Sequence, residues 1–172
     1  MRLDDSNLLF AQVMELLPKG GVVGISGYGG SGKTTLAREI AYDVPGIQLV
    51  HVDDYLDWPV ICQRNTNGDG IEFDHIVEAH IEPLRNGRKP VDYVFVEGIY
   101  LFRHDRQAIF DLRIWVDSPL EESADLGLAR DAGNQHLWES VWVPNERDFA
   151  ERFSPTQYAD LFYDWRGANS PE

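Results

Sequence analysis

At 172 residues the chain is long enough to bury a core and short enough to form one domain over residues 1–172. Its composition, 43% hydrophobic and 26% charged, is that of a soluble globular protein, and a net charge of −14 with no long Lys/Arg cluster argues against nucleic acid as a partner. The single cysteine, Cys62, excludes an internal disulfide and fits a cytoplasmic location, while no apolar run approaches the ~20 residues of a membrane span.

Leu8 to Leu17 carries apolar side chains at helical spacing (Leu9, Val13, Leu16, Leu17), with Asp4 to Asn7 offering caps and Pro18 near the stop. Val22 to Ser26 follows as a short apolar run suited to a buried strand. Next comes Gly27-Tyr28-Gly29-Gly30-Ser31-Gly32-Lys33-Thr34, a complete phosphate-binding loop of the form G-x-x-x-x-G-K-[ST]. Thr35 to Ala41 then reads as a helix, so the motif has the strand–loop–helix setting it needs. Glycines let backbone N–H groups turn inward around phosphate oxygens, and the helix N-terminus adds partial positive charge. Gly27, Gly29, Gly30, Ser31, Gly32, Lys33, Thr34 and Thr35 are therefore the expected contacts to a nucleoside triphosphate. Lys33 reaches the β- and γ-phosphates and the Thr34 hydroxyl is placed to ligate Mg²⁺.

A second strand, Ile47–Val52, ends in Asp53-Asp54-Tyr55. The stretch from Pro59 to Gly70, rich in Asn and Gly, reads as an excursion loop or hairpin. Asp74 starts a helix through Leu84, closed by Asn86-Gly87. Val91–Val96 is a third strand ending in Glu97-Gly98, Leu112–Val116 a fourth, and Leu161–Tyr163 a short fifth. A helical stretch to about Ala132 follows Ser118-Pro119. Strands alternating with helices imply a mostly parallel five-stranded sheet flanked by helices, an α/β fold in three layers. Ligands bind beyond the carboxyl ends of such strands, where the phosphate loop, Asp53 and Glu97 should converge.

Phosphoryl transfer needs a nucleotide cradle, a metal, an oriented acceptor and cations for the transition state. Glu97, at the end of an apolar strand, is the acid expected either to hold Mg²⁺ through water, alongside Thr34, or to orient a substrate hydroxyl. Asp53 is the candidate to accept a hydrogen bond from the acceptor hydroxyl, with Asp54 its rival. Arg130, in Leu128-Ala129-Arg130-Asp131, is the candidate cation of a lid over about residues 119–135, unless an ion pair with Asp131 or Asp125 claims it; Arg147 and Arg152 are alternatives. Tyr55, Trp58, Phe73 and Tyr100 fall near the ligand edge, where an aromatic ring could stack on the acceptor. The five histidines show no metal spacing.

Taken in order, Gly24 to Thr35, Asp53-Asp54-Tyr55, Phe73-Asp74-His75 and Val96-Glu97-Gly98-Ile99-Tyr100 resemble the uridine kinase-like group of P-loop kinases, which includes nicotinamide riboside kinases. The resemblance implies a P-loop NTPase fold and transfer of the γ-phosphoryl of MgATP to a small-molecule hydroxyl, typically the 5′-hydroxyl of a nucleoside. It casts Asp53 as the residue facing that hydroxyl, Asp74 as a ribose ligand with Phe73 beside it, Glu97 as the acid near Mg²⁺ and Arg130 as a lid arginine. Two departures stand out. Residues 84–91 run almost directly into the acidic strand, where uridine kinases insert a base-reading segment, and Leu126-Gly127-Leu128-Ala129 stands where the lid is often basic. A sugar, sugar acid or vitamin precursor as acceptor, or a nucleotide-binding regulatory module with little transfer, are the alternatives these departures leave.

Overall fold

The computed structural model of the chain describes residues 1–165. Its centre is a six-stranded, all-parallel sheet in the order β1-β6-β5-β2-β4-β3. Five of these strands were expected. The sixth, β1 (Arg2–Leu3), is two residues long and too short to show a periodicity, and it pairs with the last strand. Helix α1 (Ser6–Leu16) begins behind the Asp5 carboxylate, which accepts from the N–H groups of Asn7 and Leu8, and it leads into β2 (Gly21–Ser26). α2 (Lys33–Ala41) opens out of the glycine loop, and β3 (Ile47–His51) runs into a 3₁₀ turn at Val52–Tyr55.

The excursion at residues 59–70 contains one helical turn, α3 (Trp58–Ile61), and is closed at its neck by an antiparallel bridge between Leu56 and Ile71. α4 (Phe73–Ile76), a π-helical segment Val77–Ile81 and α5 (Glu82–Arg85) follow without a break and return the chain to β4 (Tyr93–Gly98). β4 starts two residues later than the apolar pattern predicts, because the Asp92 N–H is spent on Gly46 O in the turn beside it. After β5 (Leu112–Val116) come α6 (Leu120–Arg130), α7 (Gln135–Leu137), a second π segment Trp138–Trp142, α8 (Val143–Phe153) and β6 (Leu161–Tyr163).

Successive strand residues point to opposite faces, and both faces are covered. Val22, Val50, Val94 and Val96 pack with Ile76, Ile81 and Phe102 on one side. Val23, Ile25, Phe95 and Ile114 pack with Leu9, Val13, Leu36 and Ile40 of α1 and α2 on the other. All six residues of β4 are buried, which explains its unbroken apolar run. From β2 the chain goes to the β3 edge, returns through β4, and crosses β2 to β5, so the topological switch lies at the carboxyl end of β2. The glycine loop leaves from that point.

Candidate active site

Gly32, with φ of 89°, caps α2 in the left-handed region, a conformation favoured by glycine. Gly30 is required for a different reason. A Cβ there would stand 1.9 Å from the backbone oxygen of Ser123, so the loop lies directly against α6. Gly29, Gly30, Gly32, Lys33, Thr34 and Thr35 line a cleft of about 270 Å³, while Gly27 and the fully buried Ser31 stand behind it. Lys33 is 7% exposed and donates from Nζ to Tyr28 O at 2.7 Å. Burial pushes its ammonium pKa down, and Glu146, Glu97 and Asp53 push back.

Glu97, at the end of β4 and 3% exposed, sits in register with His51 at the end of β3. Its Oε1 accepts from Thr34 Oγ1 at 3.0 Å and lies 2.6 Å from His51 Nδ1. Mg²⁺ binds oxygens at about 2.1 Å with octahedral geometry, so two adjacent ligands stand about 3.0 Å apart. The Thr34–Glu97 pair has that separation. Both are hard oxygen donors, so the pair fits a magnesium ion that would draw its remaining ligands from phosphates and water. Asp53 follows β3 by two residues and lines the same cleft. Crowding by the cleft walls pushes its carboxyl pKa up, Glu97 adds to the rise, and Lys33, Arg130 and His51 oppose it. Asp54 does not line the cleft.

Arg130, in the last turn of α6, reaches the cleft opposite Asp53. It is also tied to its neighbour, donating from Nε and Nη2 to the two carboxylate oxygens of Asp131 at 2.8 Å each. Arg130 thus lines the cleft while it is ion-paired with Asp131. Arg147 pairs with Glu121 at 3.4 Å and Arg152 lies over the Phe153 ring, both outside the cleft.

Five lining residues escaped the sequence reading, Leu56 and Ile61 on the excursion side and, on the C-terminal side, Trp138, Trp142 and Glu146. The last three lie together. They recur every four residues along the π segment and α8, a spacing that marks one helical face, and the signal was an acid on that otherwise apolar face. Glu146 is 4% exposed and accepts from the Gly29 N–H with both oxygens, at 2.8 and 3.1 Å. Burial raises its pKa to about 7 against the opposing pull of Lys33 and the Gly29 N–H.

No family profile matches the chain. Among curated proteins it is 27% identical over 183 residues to a uridine kinase of Borrelia turicatae, covering 86% of this chain and 88% of that one. To the uridine kinase of Bacillus subtilis it is 26% identical over 188 residues, covering 86% and 87%. A possible uridine kinase from Bacillus stearothermophilus superposes with a TM-score of 0.70 at 17% identity, over 92% of this chain and 97% of that one. The chain resembles the uridine kinase-like P-loop kinases in sequence and shares their fold. A candidate fructose transport system kinase from Silicibacter shares the same fold, with a TM-score of 0.70 at 21% identity over 92% and 98% of the two chains. These likenesses indicate a phosphotransferase with an alcohol acceptor.

Against that family the acceptor side differs from expectation. Phe73, Asp74 and Tyr55 do not line the cleft. Phe73 is drawn into the core against Phe110, at 6.1 Å between ring centroids. Asp74, about 100° further round the helix, turns outward into a separate cavity shared with Arg103 and Arg106. The Tyr55 hydroxyl lies 2.5 Å from His80 Nε2 and its ring packs edge-on against His75 and His80. Leu56, Trp58, Ile61, Ile99 and Tyr100 form the cleft wall on this side instead. Among the described residues no cluster of His, Cys, Asp or Glu could hold a metal by itself, and no helix is long and apolar enough to cross a membrane.

Proposed function

We propose that the protein transfers the γ-phosphoryl group of ATP, with Mg²⁺, to the hydroxyl of a small molecule, with the 5′-hydroxyl of a nucleoside as the leading acceptor. The observation that carries this reading is the convergence of Lys33, Thr34, Asp53, Glu97 and Arg130 on one cleft at the carboxyl edge of the sheet. The loop from Gly27 to Thr35 cradles the phosphates, with Lys33 at the β- and γ-phosphates. Thr34 and Glu97 would hold a magnesium ion, which would neutralise phosphate charge. Asp53 accepts the hydrogen bond of the acceptor hydroxyl and aims it in line. A loose transition state asks for orientation more than for a strong base, so a partly neutralised carboxyl suffices. Arg130 supplies positive charge as the segment at about residues 119–135 closes over the nucleotide. Nothing in this chemistry calls for nucleic acid or a membrane, and a cytoplasmic enzyme with the free thiol of Cys62 fits it.

Purified protein given MgATP and a panel of nucleosides should phosphorylate at least one, and turnover of none would overturn the reading. Asp53→Asn should lower turnover by about 10²–10⁴-fold while ATP binding, followed by calorimetry, stays near the wild-type level. A second reading, a kinase of another metabolite, draws support from the position of Asp74 in its own cavity and from the apolar wall that replaces it. Thermal shifts with sugars, sugar acids and vitamin precursors separate the two, because the true acceptor raises the melting temperature by mass action.

A further inference from the structure

The phosphate loop already holds an acidic group of its own. Glu146 projects from α8 onto the loop, and its carboxylate caps the Gly29 N–H with both oxygens. Lys33 is the strongest charge acting on it, and the Tyr28 and Tyr100 hydroxyls are the other titratable groups that feel its charge. Its neighbours on α8 point elsewhere, Arg147 to Glu121 and Asp148 to Arg64. A backbone N–H of the loop bound by a carboxylate, beside the lysine that serves the β- and γ-phosphates, is a phosphate-like arrangement built from the chain itself. The cleft is also small. Its 270 Å³ falls below the usual range of about 300–1,000 Å³ for one drug-sized ligand, yet two substrates must meet in it.

We infer that Glu146 is an internal stand-in for the nucleotide's phosphate, seated on the loop in the empty enzyme and displaced from Gly29 when MgATP binds. The inference rests on the proposed donor site and adds to it a residue that sets nucleotide affinity. Displacement frees α8 to shift, and α8 is latched to the excursion loop. Asn145 Oδ1 accepts from Asn65 N at 2.8 Å and its Nδ2 donates to Gln63 O at 2.8 Å. Arrival of the donor is thereby transmitted to the wall that receives the acceptor. While seated, the carboxylate holds its raised pKa; once displaced toward water, it returns toward the ordinary range and sheds a proton.

Two measurements test this, both with magnesium and ATP as the probe. Glu146→Gln should bind ATP at least tenfold more tightly than wild type at pH 8, while Glu139→Gln, an exposed acid in the same region, should not. In wild type, calorimetry in buffers of differing ionisation enthalpy should show net proton release on binding at pH 6.5, and this release should shrink in Glu146→Gln. A folded Glu146→Gln with unchanged or weaker affinity overturns the inference and leaves the proposed function standing. If that variant does not fold, absence of proton release by wild type overturns it instead. Failure of both wild type and Glu146→Gln to bind ATP at any pH overturns the donor site itself.

Discussion

Glu146 is an acid whose burial raises its pKa to about 7, from an ordinary value of 4.5. Between those values the folded protein holds a proton that the unfolded chain has given up, so stability falls as pH rises through this window and levels off above it. The rise corresponds to about 3 kcal/mol lost between pH 4.5 and pH 8. Asp105, held down to about 2 by Arg103, has the opposite sign and acts only below pH 4, outside that window. Thermal melts at pH 5.5 and pH 8 should therefore show a higher melting temperature at the lower pH, and Glu146→Gln should remove most of the difference. The loop proposed to bind phosphate was readable from the sequence because glycines at fixed offsets, followed by Lys and Thr, have few other uses. Asp53 and Glu97 were readable because each follows an apolar strand. Asp74 and Tyr55 were not, since a helix start does not say which way its second residue turns or which histidine a phenol will meet.

The stretch from Gln135 to Phe153 contributes the side of the site that the sequence hid. It contains a π segment and a Pro near the start of α8, and its lining residues are two tryptophans and a glutamate, types that also build ordinary cores. Strands were easier. β5 and β6 match their predicted strands residue for residue, because all but one of their residues are apolar and the exception, Arg113, is paired with Asp160. The polar links from α8 to the excursion loop run from Asn145 and Asp148 to Arg64, Asn65 and Gln63. Asn145→Ala removes the acceptor for Arg64 and for the Asn65 N–H. It should raise the KM for the acceptor several-fold while the ATP affinity changes by less than about twofold, a separation that steady-state kinetics and calorimetry can read. Equal losses in both would mean that α8 serves the two sides as one rigid body.

At the scale of the whole molecule, the sheet divides the work. β2, β4 and β3 carry the proposed site residues beyond their carboxyl ends, and β1 with β6 closes the opposite edge. Removing residues 1–5 would delete the hydrogen bonds from Phe162 N to Met1 O and from Asp164 N to Leu3 O, the ion pair of Arg2 with Asp117 and the Asp5 cap of α1. The expected cost is about 1–3 kcal/mol, or several degrees of melting temperature, with ATP affinity unchanged because none of these groups lines the cleft. A large loss of ATP binding in the truncated protein would mean that the edge strand supports the site from a distance. The position of α8 late in the chain has a consequence for synthesis. β2, β3, β4, β5 and Arg130 all leave the ribosome before Glu146 does, but a domain generally folds as a unit. The cradle is thus synthesised before its occupant yet closes only with it, so on this reading a newly made chain first meets cellular nucleotide with the carboxylate already in place.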